Sequence, residues 1–307
     1  MSEKFIVTTT ISSPTKAIDL FSKKKDWNLI VVGDLKTPHG DYQNIDCIYL
    51  HPDTQQSNYP DLSNIIGWNT IQRRNIGFIE AYKRGAQIVA TVDDDNIPYD
   101  DWGSDLYVGK TINVSCYSND GEVFDPLSIV GEVWHRGFPP QLLDKRNVHY
   151  DGETKRRVLV QADLWDGDPD VDAIARLVYR PKVKYDIQKP YCSNTIAPFN
   201  SQNTFLAREI LPYYAVFPFV GRMCDIWGGL FLQTLFPNCV VYNRASVFHD
   251  RHIHNLIADM EGEMIGYKKT LSLIRQWKRF TTLICPIGTP KKTMDFYQEY
   301  RKTFESI

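Results

Sequence analysis

Short apolar, β-branched runs alternate with segments of helical periodicity over the first hundred residues of this chain. Phe5-Ile-Val-Thr-Thr9, Trp27-Asn-Leu-Ile-Val-Val32 and Cys47-Ile-Tyr-Leu50 read as strands. Ser13-Pro14 starts a helix through Ala17, Ile18 and Phe21. From Asn69 to Arg84, the residues Ile71, Phe78, Ile79 and Tyr82 recur near helical spacing, with Gly85 as C-cap. The run Gln87-Ile-Val-Ala-Thr-Val92 then reads as a buried strand, which Pro98 is expected to stop. This strand–helix–strand alternation predicts an α/β fold with a doubly wound, parallel sheet.

Beyond it the pattern weakens. From about Trp102 to Arg180 the chain is rich in Gly, Pro and Asp, and small strands and loops covering a site are expected there. Asn203-Thr-Phe-Leu-Ala207 reads as a core strand and the segment from Cys224 to Leu235 as a buried helix. Val240-Val-Tyr242 and Ser246-Val-Phe-His249 read as two edge strands. Helical patterns follow from Asn255 to about Phe280 and from Pro290 onward. The organisation expected is one principal domain, residues 1–255, carrying a C-terminal helical extension, residues 256–307.

The chemistry-bearing feature is Asp93-Asp94-Asp95, at the carboxyl end of the buried strand. Open α/β sheets place ligands there, and three adjacent carboxylates are costly without a cation. Oxygen ligands suit Mg²⁺ or Mn²⁺, which bridge nucleotide phosphates. An acidic, solvated turn is the plain alternative. No GxGxxG follows the first strand, so neither a dinucleotide nor a flavin is expected, and there is no P-loop or GxSxG elbow.

A chain of 307 residues, 43% hydrophobic and 23% charged, has the composition of a globular protein with a substantial core. Its net charge of −2, with no Lys/Arg stripe, gives no case for nucleic acid. No stretch approaches the roughly 20 apolar residues of a membrane span. No secretory leader is read in the opening residues, and the cytoplasm is the expected location. The six cysteines, Cys47, Cys116, Cys192, Cys224, Cys239 and Cys285, form no CxxC pair, so neither zinc nor a disulfide framework is indicated.

Several segments together resemble the family-75 glycosyltransferases, the reversibly glycosylated polypeptides known as UDP-arabinopyranose mutases. Arg74-Asn75-Ile-Gly-Phe78 and Val92-Asp-Asp-Asp95 resemble that family's "RNFGY" and "IDDD", and Arg136-Gly-Phe-Pro139 its "RGYP" turn. The segment from Ala162 to Ala173 resembles "HGLWLNIPDYDA", Arg222-Met-Cys-Asp-Ile-Trp-Gly-Gly229 "RYDDMWAG", and Val247-Phe-His249 "IWH". The matches keep their order over roughly residues 70–260. STELLO-like proteins share a related domain, and bacterial mutases acting on GDP-linked sugars are a third analogy.

The resemblance implies a GT-A-like, doubly wound mixed sheet with flanking helices, binding a UDP- or GDP-sugar with Mn²⁺ or Mg²⁺ and no flavin. It implies metal ligands in Asp94, Asp95 and His249, with Asp93 on the ribose or base side. Strand alternation points Asp93 and Asp95 one way and Asp94 the other, unless the strand has already ended. A lone histidine is otherwise an ordinary core or surface residue. Asp225 would orient the sugar or stabilise charge at its anomeric carbon, or else cap the following helix. Trp227 and Gly228 belong to the same sugar-side motif, where glycines let backbone approach a ligand. Asp163, Trp165, Asp166, Asp168, Asp170 and Asp172 form either a sugar-facing wall or an exposed turn. Arg73, Arg74, Arg136 and Arg222 suit a diphosphate, or simple surface ion pairs. The family's reversibly glycosylated arginine falls here on Leu143, which puts covalent self-glycosylation in doubt or shifts it to Arg146.

The leading expectation is a metal-dependent, flavin-independent nucleotide-sugar mutase interconverting pyranose and furanose rings. A glycosyltransferase using an external acceptor is the alternative, and a non-catalytic nucleotide-sugar-binding subunit a second one. Self-association is left open.

Overall fold

A computed structural model describes residues 3–251, 255–279 and 289–307. Cys285 and Phe280, both named above, lie outside the described residues. The sheet begins with β1 (Lys4–Thr9), β2 (Asn28–Val32), β3 (Ile48–Leu50) and β4 (Ile88–Val92), interleaved with α1 (Lys16–Ser22), α2 (Pro52–Asn58), α3 (Pro60–Ile66) and α4 (Arg74–Lys83). These four strands are parallel in the order β3-β2-β1-β4. Their side chains, such as Ile6, Val7, Ile30, Val31, Val89 and Ala90, are buried, as strands covered on both sides require. In this order the connection reverses direction between β1 and β4, so a crevice opens outside their carboxyl ends, at Thr9–Thr10 and Asp93.

The second half turns the sheet mixed. β5 (Asn96–Pro98), β6 (Thr111–Asn119), β7 (Val148–Arg157), β8 (Val160–Gly167), β9 (Tyr191–Cys192), β10 (Asn203–Ala207) and β11 (Val240–His249) bring it to 11 strands among the described residues. β10 lies antiparallel between β4 and β8, and β11 lies parallel to β8. The α/β expectation holds, as a mixed sheet flanked by helices rather than a wholly parallel one.

Three local expectations are corrected. Pro98 does not stop the chain after β4; it is the last residue of β5, which pairs antiparallel with β11. The two expected edge strands are one ten-residue strand, β11, running beside β8 inside the sheet and interrupted by register shifts around Ala245. The segment from Trp102 to Arg180 is not a loose cover: β8 is buried along its whole length, and β6 and β7 form a long antiparallel pair at the sheet edge.

α5 (Ala173–Tyr179) and α6 (Cys224–Leu235) follow β8 and β10, and α7 (Leu256–Arg279) packs on both. α8 (Lys291–Glu305) packs on α3 and α4. α7 approaches the residues just before α6 through two glycines a turn apart. A Cβ at Gly266 would lie 2.4 Å from the Met223 sulfur, and one at Gly262 3.2 Å from Cγ of Arg222. This close approach seats the helix against the site.

Candidate functional site

The turn after β4 carries Asp93, Asp94 and Asp95, and β5 leaves it at once to pair with the end of β11. In that pairing His249 lies opposite Asn96, and the Asp250 amide donates to the Asp95 carbonyl at 3.1 Å. The carboxylate of Asp95 therefore lies 3.3 Å from His249 Nε2. The other ring nitrogen, Nδ1, lies 2.6 Å from the Asp168 carbonyl, an acceptor only, so it carries the proton. Nε2 faces Asp95, donating to it when the ring is protonated and free to hold a cation when it is not, and the Nδ1 bond fixes the ring as in a metal-binding histidine. Burial alone pulls the His249 pKa down, but Asp95 and Asp93 outweigh it and raise it.

Asp94 faces elsewhere: its carboxylate accepts from Thr10 Oγ1 at 2.6 Å, and its carbonyl accepts from the Thr15 hydroxyl. Among the described residues no three His, Cys, Asp or Glu side chains converge as a metal cage. Of the three expected ligands the structure brings Asp95 and His249 together and sets the Asp94 carboxylate on Thr10. Such a pair fits a cation that takes its remaining oxygens from phosphate and water, as Mg²⁺ and Mn²⁺ do.

Two adjoining cavities of about 260 and 290 Å³ share a wall of Ile71, Asp93 and Asp95. One, at the crevice between β1 and β4, is lined by Thr9, Thr10, Asp34, Thr70, Arg74 and Asp94. The other is lined by Arg136, Asp170, Gln202, Arg222, Asp225, His249 and Arg251. A further cavity of about 330 Å³, at the other end of α6 by Gln233 and Trp277, is lined among the described residues by no carboxylate, histidine or arginine. The carboxylates, arginines and His249 gather instead at the paired cavities.

Between them runs a buried relay of ion pairs. Arg74 Nη2 donates to Asp93 at 2.7 Å, and its Nη1 donates to the Ser201 carbonyl and hydroxyl at 2.9 and 2.8 Å. The Ser201 amide donates to Asp225 at 2.9 Å. Asp225, in the first turn of α6, receives both terminal nitrogens of Arg136 at 3.1 Å, while Arg136 Nε donates to Asp170 at 2.8 Å. Gly137 has φ +88°, and a Cβ there would lie 2.2 Å from Ile226, so the turn after Arg136 admits only glycine against α6. Burial opposes charge on Asp170 and Asp225, but the Arg136 guanidinium holds both pKa values below the carboxylate range. Burial, opposed by Arg74, instead pushes Asp93 up to about 6.

The remaining expected residues lie outside both cavities. Asp163 is buried beneath the sheet end, accepting from Gln161 at 2.8 Å, and burial raises it to about 6. Trp165 is buried edge-on to His135. Trp227 is buried with Nε1 donating to Thr270 on α7 at 2.9 Å. Gly228 is small for packing, not for a ligand: a Cβ there would lie 2.0 Å from the Ala215 carbonyl. Arg146 is tied to Asp125 at 2.6 Å and to the carbonyls of Glu132 and Val133, so its guanidinium is a structural brace. Arg73 is buried on Gln55 and Ser63. Of the acidic wall, Asp170 alone lines a cavity. Asp166 accepts from Tyr99, Asp168 pairs with Arg176, and Asp172 caps α5.

The sequence pattern did not single out Arg251, Gln202, Ser201, Asp34 or Thr70. Only Arg251 carried a signal, as a cation two residues past the end of β11.

No protein-family model matches the chain. It is similar to two Arabidopsis thaliana proteins, probable glycosyltransferase STELLO2, 25% identical over 231 residues, and probable glycosyltransferase STELLO1, 24% over 225. Each match covers 66% of this chain and 29% of the relative, so the chain aligns with under a third of the length of these curated relatives. The solved mannosyltransferase PcManGT from Pyrobaculum calidifontis, in complex with GDP-Man and Mn²⁺, aligns with 99% of this chain and 73% of its own. Its TM-score is 0.35 and its identity 12%, a likeness too distant to bear on fold or ligand.

Proposed function

We propose that the chain is a metal-dependent enzyme of the GT-A type that breaks the bond between a sugar and a nucleoside diphosphate and passes the glycosyl group to an acceptor. The observation that carries this reading is the Asp95–His249 pair, with Asp95 in the wall shared by two cavities and His249 lining one of them, at the sheet's reversal point. The nucleoside would occupy the cavity of Thr10, Asp34 and Thr70, and the sugar the cavity of Asp170 and Asp225. A divalent ion held by Asp95 and His249 would supply Lewis-acid charge for the departing diphosphate. Similarity to two probable glycosyltransferases supports the transfer chemistry.

The residues present divide the remaining work. His249 is oriented by the Asp168 carbonyl, and Asp93 is held by Arg74. Asp170 and Asp225, kept ionised by Arg136, line the sugar-side cavity and favour positive charge developing at an anomeric carbon. Their low pKa values make them poor proton acceptors, so their contribution is electrostatic.

That same observation favours a second reading, the pyranose–furanose mutase, because a cation-stabilising pair serves ring exchange as well as transfer. The bracing of Arg146 counts against a covalent arginine intermediate in either case. The test is to incubate the protein with UDP- and GDP-sugars and Mn²⁺ and follow the sugar by NMR. A ring isomer formed without acceptor establishes the mutase; turnover only with acceptor establishes the transferase. No sugar release or isomer from any donor, with or without acceptors, overturns both.

A further inference from the structure

Two arginines in the sugar-side cavity, Arg222 and Arg251, are held from behind by α7. Arg222 Nη1 lies 3.1 Å from Asp259 and its Nε 2.9 Å from Glu263, one turn further along the helix. Arg251 Nη2 lies 3.1 Å from the other oxygen of Asp259, so one carboxylate bridges two guanidinium groups. Glu263 also accepts from the Ala173 amide at 2.8 Å and the Tyr267 hydroxyl at 2.6 Å. The available negative charge is thus divided among several donors.

Arg251 has the less favourable position of the two. Its side chain is 8% exposed, and its Nε is buried with no hydrogen-bond partner among the described residues. A buried guanidinium crowded by like charge is stabilised by an incoming anion. It lines the same cavity as Asp95 and His249, a pair suited to a hard cation. An anion-binding group facing the same space as a divalent-cation pair matches a ligand that bridges the two, and a diphosphate does so.

We infer that Arg251, with Arg222 beside it, clamps the outer phosphate of the nucleoside diphosphate, and that Asp259 on α7 aims it. This inference rests on the nucleotide-sugar reading and deepens it. No bond is made or broken by the clamp; it stabilises charge on the phosphate oxygen as the sugar departs. α7 thereby contributes to the site without placing a side chain of its own in the cavity lining.

The test is calorimetric binding of GDP, UDP, GMP and UMP to the full chain in Mn²⁺, for the wild type, Arg251→Gln, Arg251→Lys and Asp259→Asn. Losing one charged hydrogen bond should weaken diphosphate binding about tenfold or more and monophosphate binding less than about twofold. Arg251→Lys should recover part of the diphosphate affinity, and Asp259→Asn should show a smaller loss with the same selectivity. Melting curves identify any variant that fails to fold, and the two conservative changes then decide. Undiminished diphosphate affinity in Arg251→Gln, or equal losses for mono- and diphosphates, overturns the clamp while leaving the nucleotide-sugar reading intact. A wild type that binds none of the four nucleotides overturns that reading, and the clamp with it.

Discussion

Asp95 and His249 are 154 residues apart in sequence and 3.3 Å apart in space, and the strand that joins them is only three residues long. β4 and β11 are not neighbours in the sheet; β10 and β8 lie between them. β5 spans that gap, so the Asp95–His249 pair is a product of one antiparallel register, His249 opposite Asn96.

His249→Ala should therefore remove metal-assisted nucleotide binding while leaving the fold in place, since the ring's hydrogen bonds are to one carbonyl and one carboxylate. Titration of the wild type with Mn²⁺ should raise nucleoside diphosphate affinity at least tenfold, and the variant should show no such gain. An equal Mn²⁺ response in both proteins would discard the pair as metal ligands.

Asp225→Ala should be costly to stability as well as to activity. It strands Arg136 with one carboxylate where it had two, and breaking a buried, bidentate ion pair costs about 3–5 kcal/mol. Urea unfolding measures this directly. A loss under about 1 kcal/mol with activity abolished would show that the carboxylate serves chemistry and not the fold.

Arg146→Ala should likewise destabilise, by about 3 kcal/mol, because Asp125 is wholly buried beneath it. Intact-mass analysis after incubation with a nucleotide sugar should show no sugar adduct on Arg146 in the wild type. An adduct mapped there would restore the covalent scheme.

Asp163 gives a pH signature. Its pKa rises from the ordinary 3.8 to about 6, chiefly through burial, so the folded state holds a proton that the unfolded state has released. The stabilisation this gives is complete below about pH 4 and is lost as pH rises through 6. Asp163→Asn removes the titration and should raise stability at pH 8 by up to about 3 kcal/mol, with no gain at pH 4. Asp93 and Asp172, also raised to about 6 chiefly by burial, keep a dependence of the same sign in the variant. Equal gains at both pH values would contradict the assignment.

Elements whose burial is uniform were legible from the sequence. α6 and β10 have the bounds read from the sequence: β10 is buried throughout and α6 from Cys224 to Leu232, so their polar residues do not break the apolar pattern. β11 was split in two because Asn243 and Arg244 interrupt its apolar run just where the register shifts. β7 was missed because most of its residues face solvent and its partner, β6, sets its register. At the site, the aspartates and His249 were visible as types in order. Glycine size was visible at Gly228, but whether the neighbour is a ligand or the Ala215 carbonyl is decided by tertiary packing. Arg136 and Arg222 were visible as candidates, but that Asp259 on α7 joins Arg222 to Arg251 was not, since that helix lies across the fold.

The crossing of β5 to β11 also sets an order of events. His249 reaches Asp95 only after the strands between them have paired, and contacts this distant in sequence form late because their loop-closure cost precedes any reward. The metal binding proposed for this pair would thus be a readout of a completed sheet. During refolding, Mn²⁺ affinity should return with the slowest phase, after the β1–β4 layer has regained its amide protection.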